Sequence, residues 1–276
     1  MGLRIGTNLP SLAAQRSLAG TGREIQKDYA QLSSGSRITK SADDAAGLSI
    51  SEGLKSQVRG YQQASRNAGD GVSMIQTTEG GLGEISNILT RLRELGVQAS
   101  SDTIGDQERG FINKEVSQLK SETDRIAKTT RFGNVHLLDG TGGKFDFQVD
   151  VNNTENDRIG FDASEQNATL SSLNIAGLDF STKDGAREAL DTVDIAQKQV
   201  SGQRANLGAL QSRLISTSDN LASSIENLSA ANSRIRDTDI AQVSADLAKN
   251  TIMQTASVSV LAQANQTPSQ ALKLLS

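Results

Sequence analysis

The sequence predicts a mainly α-helical chain folded as an elongated antiparallel hairpin, a coiled-coil-like bundle with a small β-hairpin region at its far end. Three observations carry this. Apolar residues recur every seven positions over two long segments. Proline, the strongest helix breaker, occurs only at Pro10 and Pro268, and the period changes from helical to alternating only near the middle of the chain.

The first long segment places Leu54, Tyr61, Ala68, Ile75, Leu82 and Leu89 at heptad intervals, with Val58, Val72, Ile85 and Leu92 on the same stripe. The second does so with Val193, Val200, Leu207, Leu214, Leu221, Leu228 and Ile235, supported by Leu190, Leu210 and Ile225. A sustained seven-residue repeat keeps one seam facing a partner helix. A helix of about 50 residues is roughly 75 Å long, so a rod is expected. A shorter helix over 107–129, with Ile112, Val116, Leu119 and Ile126 on one face, follows the break at Gly105-Asp106 and should fold back on the first.

From Phe132 to Phe180 the pattern differs, and five of the eight aromatic residues lie there (Phe132, Phe145, Phe147, Phe161 and Phe180). Lys144 to Val151 alternates with period two after the turn-forming run Gly140-Thr-Gly-Gly143, and Arg158-Ile-Gly-Phe161 reads as a returning strand. The β region is expected over about 132–180, between two helical halves that mirror each other.

The extreme ends read differently. Residues 3–33 carry Ile5, Leu9, Leu12, Ile25 and Leu32, and residues 238–275 carry Ile240, Val243, Leu247, Ile252, Val260, Leu261, Leu272, Leu274 and Leu275. Neither stripe is rich enough to hold an isolated helix against the entropy of ordering it. These helices should order only against partners.

Composition narrows the function class. With 36% hydrophobic and 3% aromatic residues and no Trp, the chain suits thin helices with narrow seams better than one thick core. A net charge of -4 supplies no basic field for nucleic acid. The first residues lack the apolar run of about 7 to 15 residues that a secretory signal needs, and nothing approaches the roughly 18 apolar residues of a membrane span. Export without a cleavable signal peptide, and no membrane insertion, are therefore expected.

Catalytic chemistry finds no constellation. There is no cysteine, and the single histidine, His136, has no second soft ligand beside it. Gly140 to Lys144 resembles a phosphate loop only loosely, since Phe145 stands where Ser or Thr should follow the lysine. Asp150 to Glu155 lacks the glycine of a calcium loop, and Asp43 and Asp44 suit capping or a subunit contact better than acid-base work. No enzyme, cofactor or metal is expected.

Three segments resemble the bacterial flagellin family. They are Leu32 to Ser51, similar to the family's connecting segment between inner and outer core domains; Thr78 to Ala99 on the first long helix; and Val260-Leu-Ala-Gln-Ala-Asn-Gln266 with the terminal Leu-Lys-Leu-Leu-Ser. Ser36 departs from the family's usual larger apolar residue, and Gly96 from its usual Ala. The resemblance implies a short, core-only flagellin: an inner core domain from 1–43 and 237–276, and a rod-like outer core domain from 44–182 and 183–236. It implies a structural subunit of a helical flagellar filament that serves swimming motility, with a hook-filament junction protein as the alternative. It places self-assembly on Ile5, Leu9, Leu12, Ile25, Leu32, Ile240, Val243, Leu247, Leu261, Leu272 and Leu275. By the same resemblance the partners are further copies, an export chaperone, the export apparatus, and filament cap and junction proteins. Arg91, Leu95 and Glu115 are expected to serve subunit packing first and an innate immune receptor second.

Overall fold

The computed structural model describes residues 7–273, with side chains described through residue 266. Its helices are α1 (Leu9–Ser34), α2 (Ala45–Ala99), α3 (Asp106–Thr129), α4 (Lys183–Arg236) and α5 (Ile240–Lys273). Between α3 and α4 lie β1 (Arg131–Phe132), β2 (Val135–His136), β3 (Lys144–Gln148) and β4 (Arg158–Asp162). The chain divides into two compact units, a central one of Gln57–Glu226 and a terminal one of Met1–Ser56 with Asn227–Ser276. Their boundaries fall inside α2 and α4, where no change of composition marks them.

In the central unit the heptad residues form the core. Ala68, Ile75, Leu82 and Leu89 of α2 and Val193, Val200, Leu207 and Leu214 of α4 are buried, joined by Ile112 and Val116 of α3. Burying each such Leu, Ile or Val contributes about 1.5–3 kcal/mol, which is what turns a heptad stripe into a bundle. α2 and α4 run antiparallel, as the pairs Thr90 with Gln197, Arg93 with Asp194, and Ser65 with Ser218 show.

The turn from α2 to α3 is held by Arg109, whose buried guanidinium donates to Ala99 O at 2.8 Å, Ser101 O at 3.0 Å and Asp106 Oδ1 at 2.7 Å. The last carbonyls of a helix have no partner within it. Arg109 supplies one from the next helix.

The β region comprises two antiparallel two-stranded sheets, β1 with β2 and β3 with β4. In the second, Lys144 pairs with Asp162 and Gln148 with Arg158, and Phe145 stacks on Phe161 at 6.4 Å between ring centroids. The alternating run was expected to continue to Val151, but β3 ends at Gln148. There the Asp150 carboxylate accepts the Val151 amide at 2.6 Å and the Gln148 side chain donates to Asp150 O and Asn152 O, which turns the chain. β1 and β2 flank Gly133, at φ 59, and are too short for any period to announce them.

The β region and the residue that ends α3 rest on α2 where that helix has no side chains. Phe147 lies over Gly71, Val151 over Gly60, and Leu138 with Thr130 over Gly81.

In the terminal unit α1 starts at Asn8, whose side chain accepts the Ser11 amide, with Pro10 in the first turn where its missing N–H is harmless. It stops at Gly35, left-handed at φ 67. The two connecting segments then pair: Arg37 N donates to Arg236 O at 2.7 Å and Thr238 N to Gly35 O at 3.0 Å, around a bridge of Ser36 with Asp237. The Ser36 hydroxyl donates to Ile38 O at 3.0 Å and lies 3.2 Å from Arg236 O, so the small residue at this position ties the crossing by hydrogen bonds. Asp44 accepts the Gly47 amide at 2.8 Å at the start of α2, and Asp43 accepts the amides of Lys40 and Thr39 and the Thr39 hydroxyl. The adjacent pair therefore caps backbone. These bonds, the Lys40 amide foremost, hold the Asp43 carboxyl below the usual carboxylate range.

Candidate assembly surface

The two terminal helices find partners in each other. On α1, Ser11, Ala14, Leu18, Thr21, Ile25, Asp28 and Leu32 follow one another at three- and four-residue steps, and each is buried or half-buried. On α5, Val243, Leu247, Asn250, Gln254, Ser257, Leu261 and Ala264 do the same. The helices are antiparallel along these seams. Asn8 Nδ2 donates to Ala264 O at 2.8 Å, Ser11 Oγ to Asn265 Oδ1 at 3.0 Å, and Asn250 Nδ2 to Asp28 Oδ2 at 2.9 Å.

This seam is built largely from small and polar side chains, so it buries little apolar surface per residue. Large apolar residues lie away from it instead: Ile252 is 68% exposed, Leu9, Tyr29 and Val260 each 58%, and Leu12, Ile240 and Val258 about half. The pairing of α1 with α5 therefore leaves large apolar side chains of both helices exposed.

Of the residues expected in self-assembly, Leu9, Leu12 and Ile240 are exposed, while Ile25, Leu32, Val243, Leu247 and Leu261 sit half-buried in the α1–α5 seam. Ile5 and Leu275 lie outside the described residues, as does the side chain of Leu272. Met253 and Val258, 41% and 51% exposed, lie off the seam and were not among the residues expected there. Asp28 and Asn250 were not singled out either, although both fall on the three-four spacing of their helices.

A second surface lies on the central unit. Arg91 meets Glu115 of α3 at 2.9 Å and Glu94 at 3.0 Å, with all three side chains largely exposed. The hydrogen bonds from Glu94 and then Glu115 hold the guanidinium pKa above its usual value. Leu95 differs from its neighbours: at 2% exposure its side chain belongs to the bundle core and offers no free contact surface. Gly96 is where Leu190 and Phe180 close on α2, since a Cβ there would stand 2.9 Å from Leu190 Cδ2.

His136 has its Nδ1 2.9 Å from Lys128 O in the β region, and Gly140, at φ 80, makes the turn before β3. Among the described residues no group of His, Cys, Asp and Glu could hold a metal ion, and no helix is long and apolar enough to cross a membrane.

Residues 5–142 match the bacterial flagellin N-terminal helical region, and residues 190–275 match the bacterial flagellin C-terminal helical region. The chain belongs to the bacterial flagellin family. It is 43% identical over 271 residues to a flagellin of Halalkalibacterium halodurans, covering 98% of this chain and 99% of that one. It is 40% identical over 282 residues to a flagellar filament core protein of Brachyspira hyodysenteriae, covering 98% and 99% respectively. A crystal structure of Bacillus cereus flagellin superposes with a TM-score of 0.51 at 30% identity, covering 60% of this chain and 94% of that one. Family membership makes the chain a structural subunit of a flagellar filament. End-to-end matches to flagellins and filament core proteins favour this over a hook-filament junction protein.

Proposed function

We propose that this flagellin assembles through its terminal helices, with folding of the ends completed by assembly. The observation that carries this is the division of labour in α1 and α5: a small, polar seam joins the two helices, and the large apolar side chains point away from it. The seam alone buries too little to offset the entropy of ordering about 1–2 kcal/mol per residue of backbone. Neighbouring copies that cover Leu9, Leu12, Ile252 and Val260 supply the rest, so disordered or frayed ends pass an export channel and then order on the growing filament. Contacts of this head-to-tail kind do not close, and they propagate a helix.

The reading extends to a location outside the cell, reached without a cleavable signal peptide, and to an export chaperone, the export apparatus, and cap and junction proteins as transient partners. It assigns no catalysis. Arg91 and Glu115 serve packing of neighbouring subunits, with an innate immune receptor as a secondary partner of the same exposed surface.

The test is seeded growth. Monomer added to short filament seeds should lengthen them, whereas a chain lacking residues 1–35 should leave them unextended while its central unit keeps its helical circular dichroism. Normal growth of that truncation would refute the role given to the ends. A full-length chain that caps seeds without lengthening them would overturn the filament reading itself.

A further inference from the structure

The chain holds no cysteine and three methionines, so its only sulfur is thioether. Met1 lies outside the described residues, and the other two sit in opposite environments. Met74 is 4% exposed and belongs to the core of the central unit, among the heptad residues of α2. Met253 lies on α5, off the α1–α5 seam, and is 41% exposed. Two turns further on, Val260 returns to the same side of the helix at 58% exposure, and Ile252, next to Met253 in the chain, is 68% exposed. Met253 is therefore part of the apolar surface that the pairing of the terminal helices leaves uncovered.

A thioether needs no activating base to react with peroxide, and access decides which one reacts. With no thiol to compete and Met74 enclosed, Met253 is the accessible sulfur among the described residues. The sulfur lone pair attacks one peroxide oxygen, the O–O bond breaks, and the other oxygen leaves as water: thioether and hydrogen peroxide become sulfoxide and water. A flexible apolar side chain is thereby replaced by a polar, chiral one. In the monomer the new S=O group is solvated. Beneath a neighbouring copy it would be buried, and burying a polar group without a hydrogen bond is unfavourable. The modification is tolerated before assembly and opposed during it.

We propose that Met253 is an oxidation-sensitive switch within the assembly surface. Hydroperoxides convert it to the sulfoxide in the free chain, which holds that chain out of the growing filament, and neighbouring copies shield it after incorporation. Reduction of the sulfoxide by a methionine sulfoxide reductase returns the chain to the assembling pool. The inference rests on the reading that neighbouring copies cover the exposed apolar side chains of α5, and it adds a means of regulating that contact.

Peptide mass spectrometry after hydrogen peroxide treatment tests it in monomer and in filaments grown from the same full-length chain. Met253 should gain oxygen about tenfold faster in monomer than in filaments, with Met74 slow in both. Oxidised monomer should need about tenfold more chain for seeded growth, and sulfoxide reductase should restore the original critical concentration. Met253→Leu, an exchange that conserves volume, should grow normally and keep growing after peroxide. Met253→Gln, which places a polar group there without any oxidant, should hinder growth as oxidation does. Equal oxidation of Met253 in monomer and filaments would overturn the inference. So would growth unchanged by peroxide, or Met253→Leu losing growth to peroxide as the unmodified chain does. Untreated chain that fails to lengthen its seeds would overturn the filament reading instead, which keeps the two failures distinct.

Discussion

Gly80 and Gly81 are neighbours on α2, share its helical backbone, and face different worlds. A Cβ added at Gly80 meets nothing within 4 Å, whereas one added at Gly81 stands 2.7 Å from Leu138 Cδ1, 2.8 Å from Thr130 Oγ1 and 3.1 Å from Thr130 Cγ2. Neither neighbour is free to move aside. Leu138 is fully buried, and the Thr130 hydroxyl is bonded to Ile126 O at 2.7 Å. Replacing glycine by alanine in a helix interior contributes about 0.8–1.0 kcal/mol, and crowding a packed site costs about 1–3 kcal/mol. Gly80→Ala should therefore stabilise the monomer by up to about 1 kcal/mol. Gly81→Ala should be neutral to destabilising by roughly 2 kcal/mol. Because the propensity gain is common to both, the difference isolates the packing of the β region on α2. Urea unfolding followed by circular dichroism measures it: at a slope of about 2 kcal/mol/M the midpoints should be separated by roughly 0.5–1.5 M. Equal stabilisation by the two substitutions would refute the docking of the β region on this face.

Arg109→Met keeps the length of the side chain but strips donors from Ala99 O and Ser101 O; it should cost about 1–3 kcal/mol per orphaned carbonyl and speed amide exchange around residues 99–106, and an unchanged unfolding midpoint would count against the clasp. The Asp43 carboxyl should titrate below the ordinary aspartate value of about 3.9. Its folded pKa is lowered, so its stabilising bonds are fully present above that value and lost as pH falls through the folded pKa; a carbon-detected NMR titration with an ordinary midpoint would contradict the assignment.

Much of the fold was legible because it rests on long periods. A sustained heptad leaves one way to bury its stripe, and α2 from Ala68 to Leu89 and α4 from Val193 to Leu221 obey it, while Leu54, Tyr61, Leu228 and Ile235 stay half-buried. The short elements escaped for the same reason. β1 and β2 have two residues each, which no alternation can reveal, and the end of β3 is decided by side-chain bonds of Gln148 and Asp150 that compete with the strand. At the ends of the chain the sequence shows apolar residues but not which of them the chain itself covers. Ile25 and Leu261 are claimed by the α1–α5 seam, whereas Leu12 and Ile252 are left for others, and this follows from a pairing of residues more than 200 positions apart. Leu95 shows the opposite limit: its resemblance-based role ignores that the heptad neighbourhood of Leu89 and Leu92 draws it into the core.

In the filament, neighbouring copies are proposed to cover the exposed apolar side chains of the terminal helices. The chain has no cysteine, so Val260→Cys, at a position 58% exposed, introduces a single thiol on α5. Maleimide labelling should proceed freely in the monomer and fall steeply once the same protein has been incorporated into filaments. Labelling at the same rate in both states would show that no neighbouring copy covers this position.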